Sequence, residues 1–258
     1  MSRLRARCPD CRTLTAVAIG PEYQCHSCGR EFAAGLVRVP RAWGDGGEAM
    51  VEAAWLELPY PETGVVEASS LAEQTLMVAA ELPDRPLVLG GCCCAHMGAI
   101  ERLASGEEPL AVVWIDAHGD LNTPAGSPSG NAWGMPLRLL LDDGAIEPAN
   151  VALVGARNLD PAEVEFIATS GLHTGDGAVE RALGGTGAVY VALDGDSVEP
   201  DELAVFMPEP NGFRLAELEE LLRSIAVSST VAGAGLSGLV GDPANVPKLT
   251  RLCAALHL

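Results

Sequence analysis

No apolar stretch of this 258-residue sequence comes near the roughly 18 to 20 residues that a membrane helix requires, so no transmembrane span is expected. Positive charge is also scarce. Sixteen Lys and Arg stand against 35 Asp and Glu, a formal net charge of −19, so most of the surface would repel a phosphate backbone and nucleic acid is not an expected partner. The N-terminus, MSRLRARCPDC, has basic residues with no apolar segment behind them. No secretory leader is expected from such a segment, and the cytoplasm is the expected location. Internal repeats are lacking too. What remains is an ordinary globular composition, 48% apolar, with room for one large α/β domain and a small module.

The cysteines are unevenly placed. Cys8, Cys11, Cys25 and Cys28 form C-x2-C-x13-C-x2-C, two tight turns that can face each other around one tetrahedral zinc ion. Two disulfides are the alternative, disfavoured in a reducing compartment. Residues 1–37 are too few to bury a core, so a structural Zn2+ would supply most of the folding free energy of such a zinc ribbon. This segment holds five arginines, Arg3, Arg5, Arg7, Arg12 and Arg30, against three acidic residues, which suits docking onto an acidic body better than nucleic-acid binding. Cys253, in the apolar tail LTRLCAALHL, reads as a buried helix residue.

Residues 38–66 are rich in Pro and Gly and read as a linker leading into an edge strand, which places the second domain at 38–258. An α/β rhythm follows. PLVLGG (86–91), LAVVWI (110–115), VALVG (151–155), AVYVAL (188–193) and TVAGAGL (230–236) are apolar over strand length. Helical patterns fall near 68–81, 95–104, 133–143, 161–169, 214–225 and 244–256. Strands alternating with helices predict a three-layer α/β/α fold with a mostly parallel sheet covered on both faces.

In such sheets ligands bind beyond the carboxyl ends of the strands. Directly after LAVVWI comes Asp116-Ala117-His118-Gly119-Asp120, and directly after AVYVAL comes Asp194-Gly195-Asp196. Residues i and i+2 of an extended chain share a face, so Asp116 with His118, and Asp194 with Asp196, can address one cavity. Oxygen and imidazole donors in this number suit Mn2+ or another divalent transition metal, as one or two ions. Either segment alone is also what an N-cap or turn looks like; together, at equivalent strand ends, they point to a metal site.

At these residues the sequence resembles the ureohydrolase family, which includes arginase, agmatinase and related amidino hydrolases. DAHGD followed by LNTP, SGNAWGMP at 129–136, VALDGDSVEP at 191–200 and GARNLDPAE at 155–163 appear in the family's order, and PLVLGG resembles the approach to its first metal ligand. The resemblance implies an arginase-like fold and a two-manganese hydrolase of a linear C–N bond in a small guanidino or amidino substrate. It implies that Asp116 and Asp194 bridge the ions, that His118 and Asp196 complete one shell, and that Asp120 belongs to the other, with His118 and Asp120 at the catalytic centre. It further implies substrate contacts from Asn122, Ser129, Asn131, Asp160 and Glu163, and assembly into homo-oligomers.

Three positions depart from the family pattern. Cys93, in Cys92-Cys93-Cys94, stands where a histidine ligand is expected; a thiolate favours zinc, iron or cobalt, so either the metal there differs or that half of the site is empty. The triplet can equally be a small, buried strand end, and His96 is a further candidate donor. Trp133 replaces a histidine expected to move protons, which indole cannot do near neutrality. Gly238 falls where a Glu is expected to pair with the substrate guanidinium. The implied reaction is therefore hydrolysis of a substrate other than free arginine, and the alternative is a catalytically degenerate binding or regulatory protein with the ribbon as a docking module.

Overall fold

The computed structural model describes residues 4–258; Arg3 lies outside them. The first strands, β1 (Arg5–Ala6), β2 (Ala16–Ile19), β3 (Glu22–Cys25) and β4 (Glu31–Phe32), form an antiparallel sheet in chain order. Its two Cys turns are closed by hydrogen bonds from Arg12 N to the Cys8 carbonyl (3.0 Å) and from Gly29 N to the Cys25 carbonyl (2.7 Å). The four sulfurs all lie within 4.8 Å of one another, an arrangement compatible with a zinc ribbon. Ala6, Ala16, Tyr23 and Phe32 pack around Cys8 and Cys25 and make up the whole of its buried core.

Seven parallel strands build the body: β5 (Gly35–Val39), β6 (Glu62–Val65), β7 (Pro86–Gly90), β8 (Leu110–Ile115), β9 (Val151–Val154), β10 (Ala188–Asp194) and β11 (Thr230–Ser237). Their order is β6-β5-β7-β11-β10-β8-β9. The helices are α1 (Glu48–Ala53), α2 (Leu71–Glu81), α3 (Met97–Ala104), α4 (Pro136–Asp142), α5 (Pro161–Ser170), α6 (Ala178–Leu183), α7 (Leu215–Ser228) and α8 (Asn245–Ala255). Alternation along the strands explains why both faces are covered. In β8, Ala111, Val113 and Ile115 enter the core beneath α7 and α8, whereas Leu110, Val112 and Trp114 enter the core with Val78 of α2, Ile100 of α3 and Leu137 of α4. The expected α/β/α architecture is therefore the observed one. Among the described residues, no helix is long and apolar enough to cross a membrane.

Three local differences from the sequence reading have physical causes. The expected linker contains β5, α1 and the edge strand β6, and the boundary at 37/38 falls inside β5. Arg38 masks that strand: its buried guanidinium is neutralised by Glu62 (2.7 Å) and donates to the Leu56 carbonyl (3.0 Å). α6 carries no helical signature in the sequence, because six residues between Gly177 and Gly184 are too few to show a helical period. α4 begins at Pro136, three residues later than expected, because residues 132–134 form a 3-10 turn before it.

The small sheet is docked against the body. Arg7 and Glu62 exchange backbone hydrogen bonds (2.8 and 3.0 Å), extending the edge at β6, and Arg12 makes a two-pronged ion pair with Glu57 (3.1 and 2.7 Å).

Candidate functional site

In the strand order, β7 and β8 are consecutive in the chain but separated by β11 and β10, so their following segments diverge and open a crevice at the carboxyl edge. A cavity of about 210 Å3 occupies this crevice. Cys93 reaches it from the turn after β7, Asp116, His118 and Asp120 from the loop after β8, Asp194 and Asp196 from the end of β10, and Gly238 from the end of β11.

Backbone hydrogen bonds preset the carboxylates. Asp116 Oδ1 accepts from His118 N (2.7 Å), Asp194 Oδ1 from Asp196 N (3.0 Å) and Asp196 Oδ1 from Ala117 N (3.1 Å), tying the two loops together. His118 Nδ1 then lies 3.1 Å from Asp196 Oδ2 and 3.4 Å from Asp116 Oδ1. Its other nitrogen faces Asn158 Nδ2 (3.5 Å) and Glu209 Oε1 (3.8 Å). Asp120, at φ 52, turns its carboxylate inward, and its Oδ2 is buried without a partner. Left-handed backbone is tolerated by Asp better than by most residues. Donor atoms of Asp116, His118 and Asp196 lie within 4.8 Å of one another, as do those of Cys93, Asp116 and Asp120.

Electrostatically the site wants a cation. Burial is the leading cause of every carboxylate shift, reinforced by neighbouring charge: Asp194 is pushed up to about 7 and Asp196 to about 6, and Asp116 and Asp120 are raised. Burial opposes charge on His118, but hydrogen bonds to Asp116 and Asp196 outweigh it and lift the imidazole to about 11. One imidazolium cannot neutralise four buried aspartates. The unpartnered Asp120 oxygen, the two donor groups and the oxygen-rich chemistry therefore fit divalent cations.

The remaining residues singled out in the sequence divide. Asn122 donates to Asp160 Oδ2 (2.8 Å) while its own Oδ1 is buried and unpartnered, and both line the cavity with Ser129. Glu163 also borders it, yet both its oxygens are engaged, by Leu121 N and Asp160 N (2.9 Å each), so it braces the loop and the start of α5. Asn131 is turned aside: its Oδ1 accepts from Asp45 N (2.9 Å). His96 does not reach the cavity. Fully buried behind it, with burial depressing its pKa to about 3, it contacts Ser237 Oγ through Nε2 (3.1 Å) and the Tyr190 hydroxyl through Nδ1 (3.3 Å).

Ser237, Glu209 and Arg157 were not foreseen. Ser237 Oγ donates to Asp194 Oδ2 (3.0 Å); the signal was its position, since it ends β11 opposite Asp194 in parallel register. Arg157, within the GARNLDP segment, donates to the carbonyls of Asp196 (2.7 Å), Glu209 (2.9 Å) and Pro210 (2.8 Å) and so clamps the loop carrying Glu209. An apolar wall faces the aspartates. Trp133 packs edge-on against Phe206 with ring centroids 5.9 Å apart, and Met50 and Met207 flank them.

Comparison with known proteins agrees with this geometry. The model of the Arginase family matches residues 45–239. Arginase of Staphylococcus aureus (strain COL) is 36% identical over 120 residues, covering 43% of this chain and 40% of that protein. Arginase of Brevibacillus brevis is 33% identical over 197 residues, 66% of each. The chain thus spans about two fifths to two thirds of the length of these relatives. Among solved structures, arginase from Bacillus cereus superposes with a TM-score of 0.73 at 22% identity, covering 86% of this chain and 97% of that one. Formimidoylglutamase from Bacillus subtilis does so with 0.68 at 18%, covering 87% of each. Fold, strand-end carboxylates and a family match over most of its length lead to one conclusion: the chain belongs to the arginase family.

Proposed function

We propose that this chain is a metal-dependent hydrolase of the ureohydrolase type, acting on a guanidino or amidino C–N bond of a small substrate other than free arginine. The observation that carries the proposal is the convergence of Asp116, His118, Asp120, Asp194 and Asp196 on one cavity with too little positive charge of their own. These five residues would hold the ions, Mn2+ or another divalent transition metal. Bound there, such ions would supply Lewis acidity and lower the pKa of water enough for hydrolysis of an amidino group near neutrality. His118 turns Nδ1 toward Asp196 Oδ2 (3.1 Å), where it would serve as a ligand, and leaves Nε2 on the side of Glu209, 3.8 Å from its Oε1. Asn122, Asp160 and Ser129 offer a polar end for the substrate's tail, and Trp133 with Phe206 presses an apolar surface on its length.

Two absences argue against arginine. No imidazole stands at position 133 to shuttle protons, and no carboxylate stands at Gly238 to pair a guanidinium. A substrate of lower basicity, such as a formimino compound, makes less demand on both. Structural zinc in the four-cysteine cluster, location in the cytoplasm and assembly into homo-oligomers belong to the same reading.

The test is reconstitution with Mn2+, Co2+, Ni2+ or Zn2+ and assay against arginine, agmatine, guanidinobutyrate, formiminoglutamate and guanidine. Turnover of one of the last three above arginine is the expected result; bound ion with no turnover of any compound rejects it. A second reading is favoured by the Trp133–Phe206 wall: a binding protein that holds an amidino ligand without hydrolysing it. Calorimetric binding of such a ligand, unchanged on recovery, identifies that case.

A further inference from the structure

Beside the proposed ions stands a side chain that the family pattern does not supply. The Cys93 sulfur is buried at the start of the turn after β7, 2.9 Å from Asp194 Oδ2 and 3.6 Å from Asp116 Oδ2. It also falls, with Asp116 and Asp120, in a set of donor atoms all within 4.8 Å of one another. We propose that Cys93 is a thiolate ligand of the inner ion, making that half of the centre a one-sulfur, three-carboxylate site that prefers Zn2+ or Co2+ to Mn2+; the inference rests on the metal-binding reading above.

Distances support it first. Ligand atoms placed tetrahedrally at the 2.0 to 2.3 Å typical of zinc are separated from each other by roughly 3.3 to 3.8 Å. The sulfur's separation from Asp116 Oδ2, 3.6 Å, falls inside that range, and its separation from Asp194 Oδ2, 2.9 Å, lies a few tenths of an ångström below it. Satisfaction of polar groups supports it next. Read as an inert filler, the thiol donates to Asp194 Oδ2, which already accepts from Ser237, while Asp120 Oδ2 on the same cluster has no partner at all. A cation held by the thiolate and the three aspartates satisfies every one of these atoms.

The surroundings hold this geometry in place. Ser237 Oγ lies 3.3 Å from the sulfur and donates to Asp194, and it is itself held by His96, which is backed by Tyr190. Hydrogen bonds of this kind orient ligands and are lost at a cost in metal affinity. As the sulfur–metal bond forms, the thiol proton is released to solvent. A soft donor among hard ones moves the preference from manganese toward the borderline ions.

The experiment uses the full chain with one equivalent of Zn2+ already in the ribbon, then titrates Co2+. A near-ultraviolet sulfur-to-cobalt charge-transfer band is expected to grow with the cobalt equivalents bound in the body. It should be missing from an Asp116→Asn, Asp194→Asn protein, which keeps the ribbon and reports any cobalt exchanged into it. Cys93→Ser should bind cobalt without the band, and Cys93→His should move the Mn2+ to Co2+ affinity ratio at least about tenfold toward manganese. Cobalt bound in the body without a sulfur band overturns the thiolate assignment and leaves the metal site standing. No cobalt bound there at all overturns both. The wild-type spectrum with the Asp double variant decides the matter even if Cys93→Ser fails to fold.

Discussion

Replacing Gly238 with alanine tests whether the strand-end geometry sets metal affinity. Gly238 has φ +67, and a Cβ built there would lie 1.9 Å from Asp194 Oδ1. The left-handed conformation costs an alanine about 1 to 2 kcal/mol. The contact costs more, because Asp194 must retreat by more than an ångström to reach ordinary van der Waals distance, and Oδ1 is the atom that accepts from Asp196 N at 3.0 Å. Losing that buried acceptor adds about 1 to 3 kcal/mol. For a chain of this size a total of a few kcal/mol lowers Tm by about 5 to 15 °C. The displacement far exceeds the roughly 0.5 Å within which ligands must be held, so affinity for Mn2+ or Co2+ should fall by about 100-fold or more. Titration calorimetry with the ribbon zinc in place, paired with thermal unfolding, measures both. Unchanged metal affinity in Gly238→Ala would refute the placement of Asp194 as a ligand, whatever happens to Tm.

Three further outcomes are expected. Chelation, or Cys25→Ser, should unfold the ribbon, whose buried core is six residues including two of the cysteines, and expose Arg12 and Arg30 to trypsin while the seven-stranded body stays resistant; unchanged protection of those sites would show that metal is not what holds the ribbon. Without ions in the body, the site's contribution to stability should fall as pH rises. Asp194, raised from 3.8 to about 7, holds its proton when folded but not when unfolded between those values, so its stabilisation is lost across that window, and His118, raised from 6.5 to about 11, loses its own between those two limits. Denaturant titrations at pH 5 and pH 8, compared with Asp194→Asn, check the sign, and stability rising with pH more steeply in wild type than in the variant would contradict it. Trp133→His should raise kcat on amidino substrates by about tenfold or more, toward the 10²- to 10⁴-fold that a positioned acid–base group supplies, at the expense of the edge-on contact with Phe206; steady-state kinetics showing only a changed KM would sink this.

How much of this was legible in the sequence depended on burial and on register. β8, β10 and β11 are apolar on both faces, so composition alone marks them as central strands. β5 is no less buried, but Arg38 interrupts its apolar run, and only the distant Glu62 makes that charge tolerable inside. The aspartates proposed as metal ligands were readable because Asp116 and Asp120 come within five residues of the end of β8, and Asp194 and Asp196 close β10 within two residues of each other. Ser237 was not, since a serine at a strand end carries no signal until pairing sets it opposite Asp194. Glu209 depends on Arg157 gathering three carbonyls, a contact made some fifty residues along the chain. His96 lies near Cys93 in sequence, but the 3-10 turn beginning at Cys93 rotates it against the sheet, onto Ser237 and Tyr190, instead of into the cavity.

The three positions expected to depart from the family pattern are physically joined. Cys93 and Gly238 meet the same carboxylate, the sulfur at 2.9 Å from Asp194 Oδ2 and the glycine at its Oδ1, so neither position changes without affecting Asp194. Trp133 leans on Phe206, whose backbone N–H donates to the Gly238 carbonyl at 2.9 Å. A side chain on Gly238 would disturb that wall as well as the carboxylate. Decay of a disused site follows a different energetic course. Four buried aspartates around one imidazole raise one another's pKa and cost stability, so a fold relieved of ion binding gains from any substitution that neutralises one of them. Here all four remain, and two of the three buried side-chain atoms left without a partner among the described residues, Asp120 Oδ2 and Asn122 Oδ1, belong to residues lining this cavity. Unmet polar demand concentrated at one place is what the proposed ligand-binding site requires, and it is not what relaxation of a disused site would leave.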